Sequence, residues 1–120
     1  MTTAPAVLDI SPRRALELLG KGFGLTDEDL AGGLGVSART LKRWEAGTAY
    51  PQLAARQKLA RLLRLKERVE DTFEGAEDVR LWCNGPARYL KGMTPSEAIR
   101  AGRIDLAEAV LDVFDWGIFL

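Results

Sequence analysis

The stretch that decides the fold is residues 25–47, which read LTDEDLAGGLGVSARTLKRWEAG. Thr26 and Ser37 each stand before a short helical run, and both residue types are typical helix N-caps. The glycines at positions 32, 33 and 35 are expected to end the first run, and Gly35 lies in the tight turn, where a positive φ costs little only for glycine. Ala31 is small, as the close crossing of two helices requires. The stretch therefore predicts two short helices joined by a tight turn.

The second of these helices has one apolar face and one basic face. Val36, Leu41 and Trp44 are spaced to face inward against the first helix. Arg39 and Arg43 are four residues apart, and either side chain could pair bidentately with guanine. In a helix-turn-helix, the outer positions at the start of the second helix enter the major groove of DNA. The candidate DNA-binding residues are therefore Ser37, Ala38, Arg39, Thr40, Lys42 and Arg43. A plain helical hairpin with an exposed basic helix is the alternative interpretation.

The rest of the chain also contains the capping residues, prolines and glycines that mark helix ends, and its apolar and polar residues do not alternate as they do in strands. This pattern predicts an all-α protein of about eight short helices. Ser11-Pro12 opens a helix that we expect to run to about Leu19 and to end at the glycines that follow. Pro51 opens a long helix through about residue 73. Thr94-Pro95 repeats the cap-and-proline signal ahead of two final helices.

Composition excludes several classes of function. The 120 residues include no histidine and one cysteine, so no Ser–His–Asp or Cys–His nucleophile can form and a four-ligand zinc site has too few ligands. We therefore expect no catalytic residue, no metal and no cofactor, and we interpret Cys83 as a small buried apolar residue. A single cysteine suits a reducing cytoplasm. Residues 1–9 have neither a basic region nor a long apolar stretch, so we expect no signal peptide there, and no apolar run approaches the roughly 20 residues that span a membrane.

The zero net charge conceals an asymmetry between the two halves of the chain. Residues 1–68 hold 12 Lys and Arg against 7 Asp and Glu, a net charge of +5, whereas residues 69–120 hold 5 against 10, a net charge of −5. Lys58, Arg61, Arg64 and Arg68 share one arc of the long helix, here called the basic arc. It is either a solvated face, a contact for DNA phosphate, or a contact for the acidic half of a second copy.

Two resemblances to known families follow from these residues. Trp44-Glu45-Ala46-Gly47, followed by Pro51, resembles the helix-turn-helix of Xre/Cro-type repressors. In the second half, five spaced residues are Trp82, Pro86, Leu90, Gly92 and Pro95. Together with the apolar C-terminal end, they resemble the toxin-binding domain of the MbcA/ParS/Xre antitoxins. Cys83 and Ala87 replace the leucine and the asparagine that are usual in that domain.

The resemblance implies a two-part, non-enzymatic protein: a DNA-binding domain over residues 1–68 and a toxin-binding domain over residues 69–120. Its implied partners are a RES-domain toxin, which consumes NAD, and operator DNA, within a homodimer or a higher toxin–antitoxin assembly. In this family, the C-terminal end of the antitoxin covers the NAD pocket of the toxin, and the antitoxin represses its own operon. Carried onto this sequence, the toxin-binding residues are Trp116, Gly117, Ile118, Phe119 and Leu120.

The residue types at this end of the chain are compatible with toxin binding, since aromatic residues dominate interface hot spots. The alternative is that Phe119 and Leu120 pack on the protein's own core. Two other functions stay open: a stand-alone dimeric repressor of the Xre family, and a small enzyme using carboxylates such as Asp112 and Asp115.

Overall fold

The computed structural model describes residues 10–87 and 90–115, and within these ranges the protein is all helical, as predicted. The described residues form seven α-helices rather than eight. They are α1 (Pro12–Phe23), α2 (Asp27–Leu34), α3 (Ala38–Ala46), α4 (Leu53–Thr72), α5 (Gly75–Asn84), α6 (Pro95–Arg100) and α7 (Ile104–Asp115). No described helix is both long enough and apolar enough to cross a membrane.

Four helices begin where the capping residues predict. The Ser11 side chain accepts a hydrogen bond from the backbone N–H of Arg14, and Ser37 accepts one from Thr40. Thr26 and Thr94 each form a reciprocal capping box with the acidic residue three positions later. Each cap satisfies a backbone N–H that the first helical turn leaves without a partner.

Two helix ends differ from the prediction because glycines lie inside helices. Helix α1 continues past Leu19 to Phe23 and ends at Gly24, which has φ of 80°. Helix α2 likewise continues through two glycines and ends at Gly35, with φ of 71°. A glycine inside a helix costs only about 1 kcal/mol relative to alanine. Burial of the fully enclosed Phe23 side chain outweighs that cost in α1.

One hydrophobic core extends through both halves of the chain. Leu19 and Phe23 of α1, Leu62 of α4, Ile99 of α6 and Leu111 of α7 are all fully buried members of it. Helix α1 packs on α4, α2 packs on α6, and α7 packs on both α4 and α6. The helix-turn-helix and the acidic half therefore share their interior.

Helices α2 and α6 approach each other at backbone distance. A Cβ built on Gly32 would lie 2.0 Å from the carbonyl oxygen of Arg100, and one on Gly33 would lie 2.8 Å from Cγ2 of Ile99. Neither position has room for a side chain, so the close packing of α2 on α6 accounts for glycine at both positions. An ion pair of 2.8 Å between Asp29 and Arg100 spans the same interface.

Candidate functional site

The candidate nucleic-acid interface is the exposed face of α3. Leu41 is fully buried and Trp44 is 6% exposed, so these two residues anchor the helix against the core. Val36 is partly buried and packs against the same core. The inward positions are confirmed, and α3 therefore turns its opposite side to solvent.

The six candidate DNA-binding residues extend from the N-cap of α3 to its last turn and differ in exposure. Ser37, Ala38, Arg39, Lys42 and Arg43 are exposed, whereas Thr40 is partly buried. The Ser37 hydroxyl donates a 3.1 Å hydrogen bond to the Thr40 hydroxyl as well as accepting from the Thr40 backbone N–H. This contact orders the first turn of α3, which carries Arg39.

The positively charged side chains on this face differ in whether they have an acidic partner. Lys42 makes a 3.3 Å ion pair with Asp27 at the start of α2. Arg39 and Arg43 have no acidic partner among residues 10–87 and 90–115. Two unpaired guanidinium groups on one exposed helical face can each bind a phosphate or the edge of a guanine.

Two further side chains near this face were missed by the sequence reasoning: Tyr50 lines the same surface groove as Thr40 of α3, and Arg56 packs on Tyr50. Tyr50, in the loop after α3, is 66% exposed. The guanidinium carbon of Arg56 lies 5.4 Å from the centre of its ring, and Arg56 also donates a 2.7 Å hydrogen bond to the backbone oxygen of Pro51. The available signal was an aromatic residue directly before Pro51; this proline was predicted to open the long helix, but it lies two residues before the start of α4 at Leu53.

Half of the basic arc is neutralised within the chain, by the acidic side of α7. Arg61 binds Glu108 bidentately at 2.9 and 2.6 Å. Arg68 binds Asp112 at 2.8 Å and Asp115 at 2.9 Å. The hydrogen bonds that the two guanidinium groups donate to these carboxylates raise the pKa of both arginines. Arg61 and Arg68 therefore already have acidic partners in α7 of the same chain, which favours neither the contact with DNA phosphate nor the contact with a second copy considered above.

Lys58 and Arg64, the other half of the basic arc, are exposed. The two carboxylates considered for an enzyme, Asp112 and Asp115, share Arg68 as their partner. No group of three or more metal-ligating side chains that could hold an ion lies within the described part of the chain.

Three of the five motif residues of the second half, Trp82, Leu90 and Pro95, contribute to its interior, whereas Pro86 and Gly92 are exposed. The Trp82 ring stacks on Phe23, with centroids 6.0 Å apart and planes 9° from parallel. Leu90 and Pro95 are buried. Cys83 is also buried, as expected, and this burial raises the pKa of its thiol to about 12. The predicted toxin-binding residues, Trp116, Gly117, Ile118, Phe119 and Leu120, lie outside the described residues.

Helices α2 and α3, with the turn at Gly35 between them, form a helix-turn-helix. The family model described as helix-turn-helix, HTH_3, matches residues 21–69. This match covers α2, α3 and most of α4. It confirms the Xre-type helix-turn-helix that the sequence predicts.

Sequence similarity extends beyond that segment. The chain is 27% identical over 98 residues to the mycobacterial cidal antitoxin MbcA of Mycobacterium tuberculosis H37Rv, which covers 82% of this chain and 86% of the relative. The MbcA protein of Mycobacterium bovis matches equally well. The resemblance to MbcA-type antitoxins is thus found in both halves of the chain.

The same resemblance appears in three dimensions. A chain from the crystal structure of the M. tuberculosis MbcT–MbcA toxin–antitoxin complex superposes with a TM-score of 0.63. The alignment covers 90% of this protein and 96% of that chain at 24% identity. The two proteins share a fold over nearly their whole length.

Proposed function

We propose that this protein is the antitoxin of a toxin–antitoxin pair and the repressor of its own operon, without catalysis of its own. Residues 69–120 bind and neutralise a RES-domain toxin that degrades NAD, and residues 1–68 bind operator DNA. The observation that carries the proposal is the similarity to MbcA, which covers 82% of the chain and therefore includes both halves. The protein acts in the cytoplasm, where its DNA and its toxin are found.

The DNA-binding role is supported by the exposed face of α3. Arg39 and Arg43 are exposed and unpaired within the described residues, and the buried Leu41 and Trp44 hold the helix in place. In this arrangement the arginines contact base edges and Lys42 contacts phosphate. Ser37, Ala38 and Thr40 complete the face.

The toxin-binding role falls to the C-terminal end. Residues 116–120 read WGIFL, which combines two aromatic residues with two aliphatic ones. Such side chains serve as interface anchors when a partner supplies an apolar pocket. In the proposed complex, Trp116, Gly117, Ile118, Phe119 and Leu120 cover the NAD-binding site of the toxin.

Co-expression in bacteria tests the proposal directly. A RES-domain toxin, sought in the reading frame adjacent to this gene, is induced alone, with the full antitoxin, or with the antitoxin lacking residues 117–120, and cellular NAD and viability are measured. We expect the full chain to preserve NAD and the shortened chain to lose this protection. An Arg39→Ala/Arg43→Ala variant, which should still protect, is the matched control.

Two outcomes contradict the proposal at different points. If the full chain fails to protect cells and to co-purify with the toxin, the antitoxin role is wrong. If the shortened chain protects as well as the full chain, neutralisation does not depend on the C-terminal end.

A stand-alone dimeric repressor of the Xre family is the second candidate. It is favoured by the match of residues 21–69 to the helix-turn-helix family, since that match does not involve a toxin. Such a protein binds a palindrome as a homodimer, with half-sites about 34 Å apart, in the absence of any partner. Operator binding measured with and without the toxin separates the two candidates: only the antitoxin changes its behaviour when toxin is added.

A further inference from the structure

A groove lies beside the start of α3, between the turn of the helix-turn-helix and the beginning of α4. Its volume of about 490 Å³ is within the range of sites that hold small ligands, so it can accept a sugar–phosphate unit of DNA. Its polar lining residues are Thr40, Tyr50, Gln52 and Lys58, and no acidic residue from the described part of the chain lines it. The groove therefore suits an anion rather than a cation.

Lys58 places its ammonium group at the turn between α2 and α3. A Cβ built on Gly35 would lie 3.5 Å from Nζ of Lys58. The neighbouring Leu59 is fully buried, so the core fixes the helix that carries the lysine. Lys58 is exposed and forms no ion pair with an acidic residue within residues 10–87 and 90–115. Its charge is available to a ligand at this turn.

Thr40 supplies a hydrogen-bond donor to the same groove. Its hydroxyl accepts a 3.1 Å hydrogen bond from the Ser37 hydroxyl, which leaves the proton of Thr40 itself to donate. Lysine and threonine side chains are both common partners of DNA phosphate oxygens. The position fits too, because a helix-turn-helix inserts the start of its second helix into the major groove, which is bordered by the phosphate backbones.

A second groove, between α1, α2 and the end of α3, has a different character. Three carboxylates line it, those of Glu17, Asp27 and Glu45, against two cationic side chains. Asp27 also binds the adjacent Lys42 at 3.3 Å. Carboxylates at this groove repel a phosphate, so of the two grooves the one at Lys58 is the better site for the DNA backbone.

We infer that the groove at Lys58 binds the DNA backbone: the Lys58 ammonium group pairs with a phosphate, and the Thr40 hydroxyl donates a hydrogen bond to it. The inference rests on the proposed function, because it assigns the surface beside α3 to DNA. Phosphate contacts strengthen binding without reading sequence, so Lys58 acts on every duplex, whereas Arg39 and Arg43 select the operator.

Binding of the full chain to two duplexes tests the inference: the DNA upstream of its own gene, and a random-sequence duplex of the same length. Fluorescence anisotropy measures affinity at several salt concentrations. We expect Lys58→Met to weaken binding to both duplexes about threefold to tenfold, and to reduce the slope of log affinity against log salt by about 0.9, as loss of one phosphate contact does. Thr40→Val should weaken binding to both about threefold and leave the slope unchanged, because it removes a donor but no charge.

Arg64→Met is the matched control for the lysine. Arg64 is exposed on α4, as Lys58 is, and has no ion-pair partner within the described residues. It lies six residues later, about 9 Å along the helix axis, and does not line the groove. Its loss should change affinity less than about twofold. An equal effect of Lys58→Met and Arg64→Met would show that net charge and not the groove determines binding, and would overturn the inference.

Failure of the inference is distinguishable from failure of the proposed function. If the unmodified chain binds neither duplex, the DNA-binding role and the inference are both wrong. If it binds, and Lys58→Met binds equally well with the same salt slope, the DNA-binding role stands and the phosphate contact is wrong. If Lys58→Met instead weakens self-association in sedimentation velocity and leaves DNA binding unchanged, the lysine contacts a second copy and the inference is overturned. Circular dichroism of each variant shows that the fold is retained.

Discussion

Asp29 shows how one side chain can serve two contacts. Its backbone N–H and carboxylate form the capping box with Thr26, and the same carboxylate accepts a 2.8 Å hydrogen bond from Arg100 of α6. Its side chain is only 7% exposed, so the charge is largely removed from water and requires these partners. From the sequence, Asp29 is one of three acids at a helix start; the structure separates it from Asp27, which pairs with Lys42.

Replacement of Gly32 by alanine should destabilise the protein strongly. The added Cβ would lie 2.0 Å from the Arg100 oxygen and 2.8 Å from its carbonyl carbon, so α2 and α6 must separate. We expect a loss of about 3 kcal/mol in the free energy of unfolding, typical of severe overpacking, measured by urea denaturation.

Gly20→Ala is the matched control for this prediction. Gly20 also lies inside a helix, but its nearest neighbour to an added Cβ is the Leu25 oxygen at 3.8 Å, an ordinary contact. Helix propensity alone then applies, and the variant should gain about 0.5–1 kcal/mol. Equal effects of the two substitutions would contradict the close approach of α2 and α6.

The Cys83 thiol should be unreactive in the folded protein at pH 8. Burial raises its pKa to about 12, whereas an unfolded cysteine titrates near 8.5. The reactive thiolate is therefore scarce in the native state, and the contribution of this group to stability is lost as the pH rises from about 8.5 toward 12. Labelling with a thiol reagent should be slow at pH 8 and fast in urea; equally fast labelling in both would contradict the burial.

Helix α3 could be predicted from the sequence because its determinants are local. The cap at Ser37, the inward spacing of Leu41 and Trp44, and the glycine after Ala46 all lie within eleven residues. The pairing of Arg61 with Glu108 could not be predicted, because the partners are 47 residues apart and meet only through the packing of α7 on α4. The glycines of α1 and α2 were misinterpreted for the same reason: their role depends on packing, not on local sequence.

The exposed face of α3 leads to a specific expectation for DNA binding. Arg39→Ala combined with Arg43→Ala should weaken operator binding by about a hundredfold or more, since each bidentate arginine–guanine pair contributes roughly 1–3 kcal/mol. Gel-shift titrations at a fixed salt concentration measure this loss.

Arg14→Ala combined with Lys21→Ala is the control of equal charge for this pair. Both residues lie on α1, and both bind Glu17 rather than facing outward from α3. The control removes the same two positive charges and should weaken operator binding only a few-fold, through long-range electrostatics. An equal loss in both double variants would show that net charge, not the face of α3, determines binding.

At the scale of the whole molecule, the two halves should unfold together. Trp44 lies in the helix-turn-helix and belongs to the core. Trp82, in the second half, packs against the same core and stacks on Phe23 of the first half. Since neither half has a separate interior, we expect a single transition with coincident midpoints by tryptophan fluorescence and circular dichroism. Two transitions with different midpoints would contradict the continuous core.

The close contact of α2 with α6 limits how the halves of this protein can be recombined. A helix-turn-helix taken from another repressor and joined to residues 69–120 would bring its own residues to positions 32 and 33. Any side chain there collides with the backbone of Arg100 or with Ile99. A change of DNA specificity is therefore better made by grafting only the outward residues of α3, which leaves the glycine pair in place.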